Sequence, residues 1–182
     1  MNEPYILCIG GPPGVGKTTL ALKLKPLFHK AKLIDPDAIL LQVVGKSTDQ
    51  TVTSEDISPA NIAEVISVME TRTQCALDLG FIPIVASSFI LEKMRTDFQS
   101  MAVARSVGFV GLWLEAGNTM VEERQLKRLA DNDPTNKSEV VIRQKREGDL
   151  VRGWTTIDAS GEPNTIAAQA KQHLGFSWSG LE

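Results

Sequence analysis

Apolar residues run along this chain in two rhythms. Short, nearly unbroken blocks such as "YILCI" (5–9), "FIPIVAS" (81–87) and "FVGLWL" (109–114) alternate with longer stretches in which apolar side chains return every three or four positions. Blocks apolar on both faces predict central strands of a parallel sheet, and the spaced stretches predict amphipathic helices packed over it. The first strand spans Tyr5 to Ile9, and a helix follows through Leu20, Leu24, Leu27 and Phe28, with Pro26 near its end. "AKLID" (31–35) reads as a second strand, and the polar, turn-rich segment 45–56 as a mobile connection. Ser58 and Pro59 start a long helix whose apolar positions run from Ile62 to Leu77 and which Gly80 terminates. Pro83 places its residue near the beginning of the third strand or on a sheet edge. A helical segment over 90–107, closed by Gly108, leads to the fourth strand. Thr119 and Glu122 form a capping box opening a further helix; the turn-rich "DNDPTNKS" (131–138) and a charged helical stretch over 139–150 follow. "TTID" (155–158) is a fifth strand, and Ala167 to Leu174 a last helix.

Parallel neighbours need crossover connections, so this order predicts an α/β protein: a three-layer α/β/α sandwich around a five-stranded parallel sheet. A length of 182 residues suits a single domain spanning 1–182. The formal net charge of −3, without a basic cluster, excludes duplex nucleic acid as an expected partner. No apolar run approaches the ~18 residues of a membrane span, and no leader pattern opens the sequence. Cys8 and Cys75 are far apart and lack metal-ligand spacing, which predicts two buried free thiols in a cytoplasmic protein.

Chemistry concentrates in "GGPPGVGKTT" (10–19), between the first strand and first helix. Gly11, Gly16, Lys17 and Thr18 satisfy G-x-x-x-x-G-K-[ST], in which a loop wraps its N–H groups around phosphates and a helix N-terminus adds its dipole. Gly11, Pro12, Pro13, Gly14, Val15, Gly16, Lys17, Thr18 and Thr19 are therefore the candidate phosphate contacts, with the Thr18 hydroxyl placed for Mg²⁺. A glycine-rich turn with an incidental lysine is the plainer alternative, and the flanking strand and helix count against it.

Several machines use such a loop. The third strand ends in Ala86, Ser87 and Ser88, without the aspartate that a hydrolase of the usual kind would place there, and no N-K-x-D guanine reader occurs. The acidic pair is instead Asp35 and Asp37 of "DPD", after the second strand. They are functional or merely the flanks of a proline turn, with Asp37 capping the next helix, and for Asp37 the two roles are compatible. Arg124 and Arg128, four residues apart, share one helix face and suit a closing lid over about 124–150; a solvated face paired with Glu123 or Asp131 is the alternative. Arg95 follows the third strand and is more readily a surface residue than a contact to an anionic acceptor. Ser87 and Ser88 touch a ligand or satisfy the following helix start, and Trp154 is a candidate border to a nucleobase.

With these motifs in this order, the chain resembles P-loop (Walker A) small-molecule kinases of the gluconokinase and shikimate kinase type; zeta-toxin-like and uncharacterised AAA-type kinases share the layout. "PIVASSFILEKMRTDF" is similar to their third strand and following helix, "LWLEAGNTMVEERQLKR" to the approach to the lid, and "TIDASGEP" (156–163) to the adenine-side loop. The resemblance implies ATP and Mg²⁺ as cofactors. It places Asp35 on the metal through water, Asp37 at the acceptor hydroxyl, Arg124 and Arg128 against the ATP phosphates or the adenine face, and Asp158 and Ser160 beside adenine.

The expected function is transfer of the γ-phosphoryl group of ATP to a hydroxyl of a small polar metabolite, by a monomer or homodimer with no membrane partner. "AILLQVVGKS" (38–47), apolar and without histidine, speaks against gluconate, while a nucleotide or nucleotide-sugar acceptor stays open. So does a different class, a regulatory module in which ATP orders the lid and no acceptor is phosphorylated.

Overall fold

The computed structural model describes residues 4–117, 151 and 153–174. The capping box at Thr119 and Glu122, Arg124, Arg128 and the expected lid lie outside the described residues. In chain order the elements are β1 (Tyr5–Gly10), α1 (Lys17–Leu24), β2 (Ala31–Ile34), α2 (Pro36–Val43), α3 (Pro59–Asp78), β3 (Ile82–Ala86), α4 (Glu92–Ala104), β4 (Gly108–Glu115), β5 (Thr155–Asp158) and α5 (Pro163–Gln172). The five strands form one parallel sheet in the order β2-β3-β1-β4-β5, so β1 and the loop leaving it lie at the centre. The expected three-layer α/β/α class is the observed one.

Alternation along β1 builds both layers. Tyr5, Leu7 and Ile9 join the core beneath α1 and α5 with Leu20, Leu24, Ile166 and Ala170. Ile6 and Cys8 join the opposite core with Ile39 and Leu40 of α2, Val65 and Met69 of α3, and Met94 and Phe98 of α4. Burying both faces of one strand is why its sequence is an unbroken apolar block rather than an alternation.

Several boundaries differ from the sequence reading, each for a local reason. Pro83 lies in β3, an internal strand. Ile82 N–H donates to Lys30 on the β2 side at 2.9 Å, so alternation aims the Pro83 nitrogen at β1, whose pairing with β3 begins only at Ile84. After α4 the chain turns at Ser106, in the left-handed region at φ 51°; Gly108 is instead the first residue of β4, where an added Cβ would lie 3.0 Å from Tyr5 Cβ. The last helix starts at Pro163, its fixed φ suiting the first turn, rather than at Ala167. Cys8 is buried, as expected, but Cys75 is exposed on α3. The segment 45–56 carries its own hydrogen bonds: Lys46 Nζ to Thr51 O at 3.1 Å, Ser47 N–H to Gln50 Oε1 at 2.8 Å, and Thr53 N–H to Asp56 Oδ2 at 2.6 Å.

Candidate active site

The loop between β1 and α1 leaves the carboxyl edge of the sheet at its centre, where ligands of open parallel sheets bind. Its conformation explains its glycines. Gly11 has φ 136°, and a Cβ there would lie 2.5 Å from the Leu114 carbonyl oxygen at the end of β4. Gly16, at φ 110°, is the N-cap of α1 and supplies no side-chain acceptor to the helix start. A side chain at either position would be strained. Val15 is fully buried and pins the loop to the core beneath α1, while Thr18 lies in the first turn of the helix and is half-buried. Lys17 Nζ donates to the carbonyls of Gly11 at 3.0 Å and Pro12 at 2.9 Å, bridging the start of the loop from its end.

The acidic turn is organised differently from the sequence reading. Asp35, not Asp37, caps α2: its Oδ1 accepts the N–H of Asp37 at 3.0 Å, Pro36 occupies the first helical position, and Asp37 lies in the first turn. Both carboxylates are half-buried at the carboxyl end of β2. The expected strand "AKLID" accordingly stops at Ile34.

Between these two features lies the exit of β3. Ser87 is buried, and its N–H donates to Ile9 O at 3.1 Å; the Ser88 carbonyl accepts Gly11 N–H at 3.3 Å. Neither serine caps α4, whose N-cap is Leu91. Arg95 turns back from α4 and donates through Nη1 to Phe89 O at 2.7 Å and Ile90 O at 2.8 Å. These backbone contacts had no signature in the sequence, because any residue offers a carbonyl.

At the other end of the sheet, Asp158 closes β5 and accepts Ser160 N–H at 2.9 Å. That N–H, and then the Ser160 hydroxyl, hold the Asp158 carboxyl below its ordinary range. Trp154 does not reach this loop. Its indole is buried with Phe89, Phe98 and Trp113 in the core shared with α2, α3 and α4, and its Nε1 has no hydrogen-bond partner among the described residues. A Cβ on Gly111 would lie 2.4 Å from Trp154 Cδ2, so glycine there is the floor of the tryptophan's slot.

The donor set fits the implied nucleotide and metal. A loop that crowding at Gly11 and a positive φ at both Gly11 and Gly16 reserve for glycine, ending on a helix start without a side-chain cap, is of the kind that suits phosphate. Among the described residues no three His, Cys, Asp or Glu side chains gather to hold a metal ion. A hydroxyl at Thr18 and a carboxylate at Asp35 instead suit Mg²⁺, which keeps several waters and binds through one or two protein groups plus substrate phosphates. No helix among the described residues is long and apolar enough to cross a membrane.

A glycine-lined loop joining the central strand to the first helix of a parallel 2-3-1-4-5 sheet defines the P-loop kinase fold. The chain belongs to the AAA domain family AAA_33, whose model matches residues 6–148. None of the curated proteins matches it. Among solved structures it is similar to a sugar kinase from a Janibacter species, with TM-score 0.64, 16% identity and coverage of 97% of this chain and 96% of that one. It is also similar to the Mycobacterium tuberculosis APS kinase in complex with AMPPNP and APS, with TM-score 0.67, 16% identity and coverage of 97% and 100%. A gluconokinase from Sinorhizobium meliloti gives TM-score 0.59, 16% identity and coverage of 96% and 93%. At these identities the likeness is one of fold.

Proposed function

We propose that this chain is a single-domain cytoplasmic kinase that transfers the γ-phosphoryl group of ATP to a hydroxyl of a small polar metabolite. The observation that carries the reading is the pairing of the phosphate loop with the Asp35–Pro36–Asp37 turn on one carboxyl edge, across a β3 that ends without an acidic residue. Fold kinship with a sugar kinase, a gluconokinase and an APS kinase supports it.

Phosphoryl transfer passes through a loose transition state, so positioning and charge neutralisation account for most of the catalysis. The loop N–H groups and Lys17 hold the phosphate oxygens. Thr18 and Asp35 would hold Mg²⁺, which when bound neutralises charge on the β- and γ-phosphates. Asp37 aligns the acceptor hydroxyl and takes its proton as the new O–P bond forms and the bond from γ-phosphorus to the bridging oxygen breaks, releasing ADP. Arg124 and Arg128, outside the described residues, complete the proposal as cations on the phosphates, and Asp158 and Ser160 as groups beside adenine.

The test is ADP release with MgATP over a panel of sugars, sugar acids, nucleosides and hydroxylated antibiotics. One compound should raise turnover well above the rate with water alone and appear as its phosphate monoester. Tight MgATP binding without multiple turnover on any hydroxyl compound would favour a nucleotide-dependent module instead.

A further inference from the structure

The most strained described residue near the phosphate loop is not a glycine. Phe89, three residues past the end of β3, has φ 49°, a left-handed conformation unfavourable for a bulky side chain. Two restraints impose it. Its ring is fully buried, edge-on to Phe98 with centroids 5.4 Å apart and tilted against Trp154 at 5.0 Å. Its carbonyl, with that of Ile90, is held by the Arg95 guanidinium at 2.7 and 2.8 Å. Arg95 belongs to α4, which Met94, Phe98 and Ala102 root in the core, so the clamp stands on a rigid element.

The strained turn is stitched to the phosphate loop. Ser88, immediately before Phe89, gives its carbonyl to Gly11 N–H at 3.3 Å, and Ser87 N–H goes to Ile9 O at 3.1 Å. Gly11 is confined on its other side by the Leu114 carbonyl, which an added Cβ would meet at 2.5 Å. The first glycine of the loop is thus located between β4 and the Ser88 carbonyl, and the direction of that carbonyl depends on the backbone at Phe89.

We propose that Arg95 is a positioning residue for the phosphate loop: by clamping the Phe89 and Ile90 carbonyls it fixes the turn that carries the Ser88 carbonyl onto Gly11. This rests on residues 11–18 being the phosphate site and is independent of what the acceptor is. A direct contact of Arg95 with an anionic acceptor is the competing role, and it predicts a change in acceptor KM alone.

The experiment compares wild type, Arg95→Ala, Arg95→Gln and Arg95→Lys by amide hydrogen exchange and by calorimetric titration with MgADP and with adenosine. Losing a charge-assisted clamp should speed exchange at Gly11 about tenfold in Arg95→Ala, leaving Ile157 and Ile166 unchanged, and weaken MgADP about tenfold while adenosine affinity holds. Arg95→Gln should behave like Arg95→Ala, and Arg95→Lys, which keeps a cation near both carbonyls, should recover most of each loss. Wild-type exchange at Gly11 in Arg95→Ala would overturn the proposal. Acceleration spread equally over β5 and α5, or an equal loss of MgADP and adenosine, would do the same. Failure of wild type to bind MgADP would instead remove the phosphate-site reading, and failure of the acceptor panel would remove the kinase reading alone.

Discussion

Asp35 Oδ1 accepts the Asp37 N–H and starts α2, so the carboxylate proposed for the metal is also the helix cap. This separates two substitutions usually treated alike. Asn caps a helix as well as Asp does, whereas Ala loses about 1 kcal/mol. Asp35→Asn should therefore melt close to wild type while requiring more Mg²⁺ for turnover, and Asp35→Ala should show the same metal defect plus a lower melting midpoint. Asp37, in the first turn rather than at the cap, should behave oppositely: Asp37→Asn binds MgATP normally and loses roughly 10²- to 10⁴-fold in transfer, the scale of a positioned acid or base, with no relief from added metal. A Mg²⁺ titration of all three variants on the identified acceptor decides it; equal rescue of Asp35→Asn and Asp37→Asn would reduce the pair to an ordinary strand-end turn. At this scale the sequence was legible where chemistry demands a residue type. Gly11 and Gly16 stand at positive φ between β1 and α1, where the motif asks for backbone freedom, and Lys17 and Thr18 open α1 as its spacing requires, their phosphate and metal roles being part of the proposal. Arg95 could not be placed, because its partners are carbonyls, and the choice between Asp35 and Asp37 as cap turned on a one-residue difference in where β2 stops.

Among the elements, strands and the long α3 helix were the easiest to read, since burial on two faces and a Ser-Pro start leave unambiguous patterns. The helix ends at Ser106 and Pro163 and the connection after α2 were harder. There the deciding interactions join polar residues that carry no periodicity. Asp56 shows the point: it binds Lys46, accepts Thr53 N–H at 2.6 Å and Thr53 Oγ1 at 2.9 Å, and so organises a segment whose composition alone reads as mobile. Lys46 first, and then the Thr53 N–H, lower the Asp56 carboxyl to about 2. A carboxylate depressed in the folded protein contributes stability that is full above its unfolded value near 3.9 and is lost as pH falls toward the folded value. The Thr53 amide resonance should therefore titrate with a midpoint near pH 2, and Asp56→Asn should abolish that titration; a midpoint near 4 would show that the network does not persist in solution. Sheet packing gives a second element-scale test. Gly111→Ala drives a methyl into the Trp154 indole, and overpacking of this kind costs about 1–3 kcal/mol. Replacing Trp154 by Phe in the same chain should recover part of the loss, and strict additivity of the two changes would argue against direct contact.

For the whole molecule, the central position of β1 couples nucleotide to stability. Its loop is tied to both core layers: Val15 is buried on the α1 side, and Ser88, whose neighbour Phe89 is buried in the opposite core, gives its carbonyl to Gly11 N–H. A ligand held by that loop binds only when both layers are assembled, so it should stabilise the folded chain by mass action rather than locally. At a MgATP concentration one hundred times its dissociation constant the gain is about 2.7 kcal/mol. For a domain of this size that corresponds to a melting midpoint raised by roughly 5 to 10 °C. Lys17→Ala removes the cation proposed to hold the phosphates and also its bonds to the Gly11 and Pro12 carbonyls, so its own midpoint without nucleotide must be the reference. Measured from that reference by differential scanning calorimetry at the same MgATP concentration, the shift should fall below half of the wild-type value. A folded Lys17→Ala protein that retained the full shift would place nucleotide somewhere other than this loop, and with it the proposed division of labour between Asp35 and Asp37 would fail.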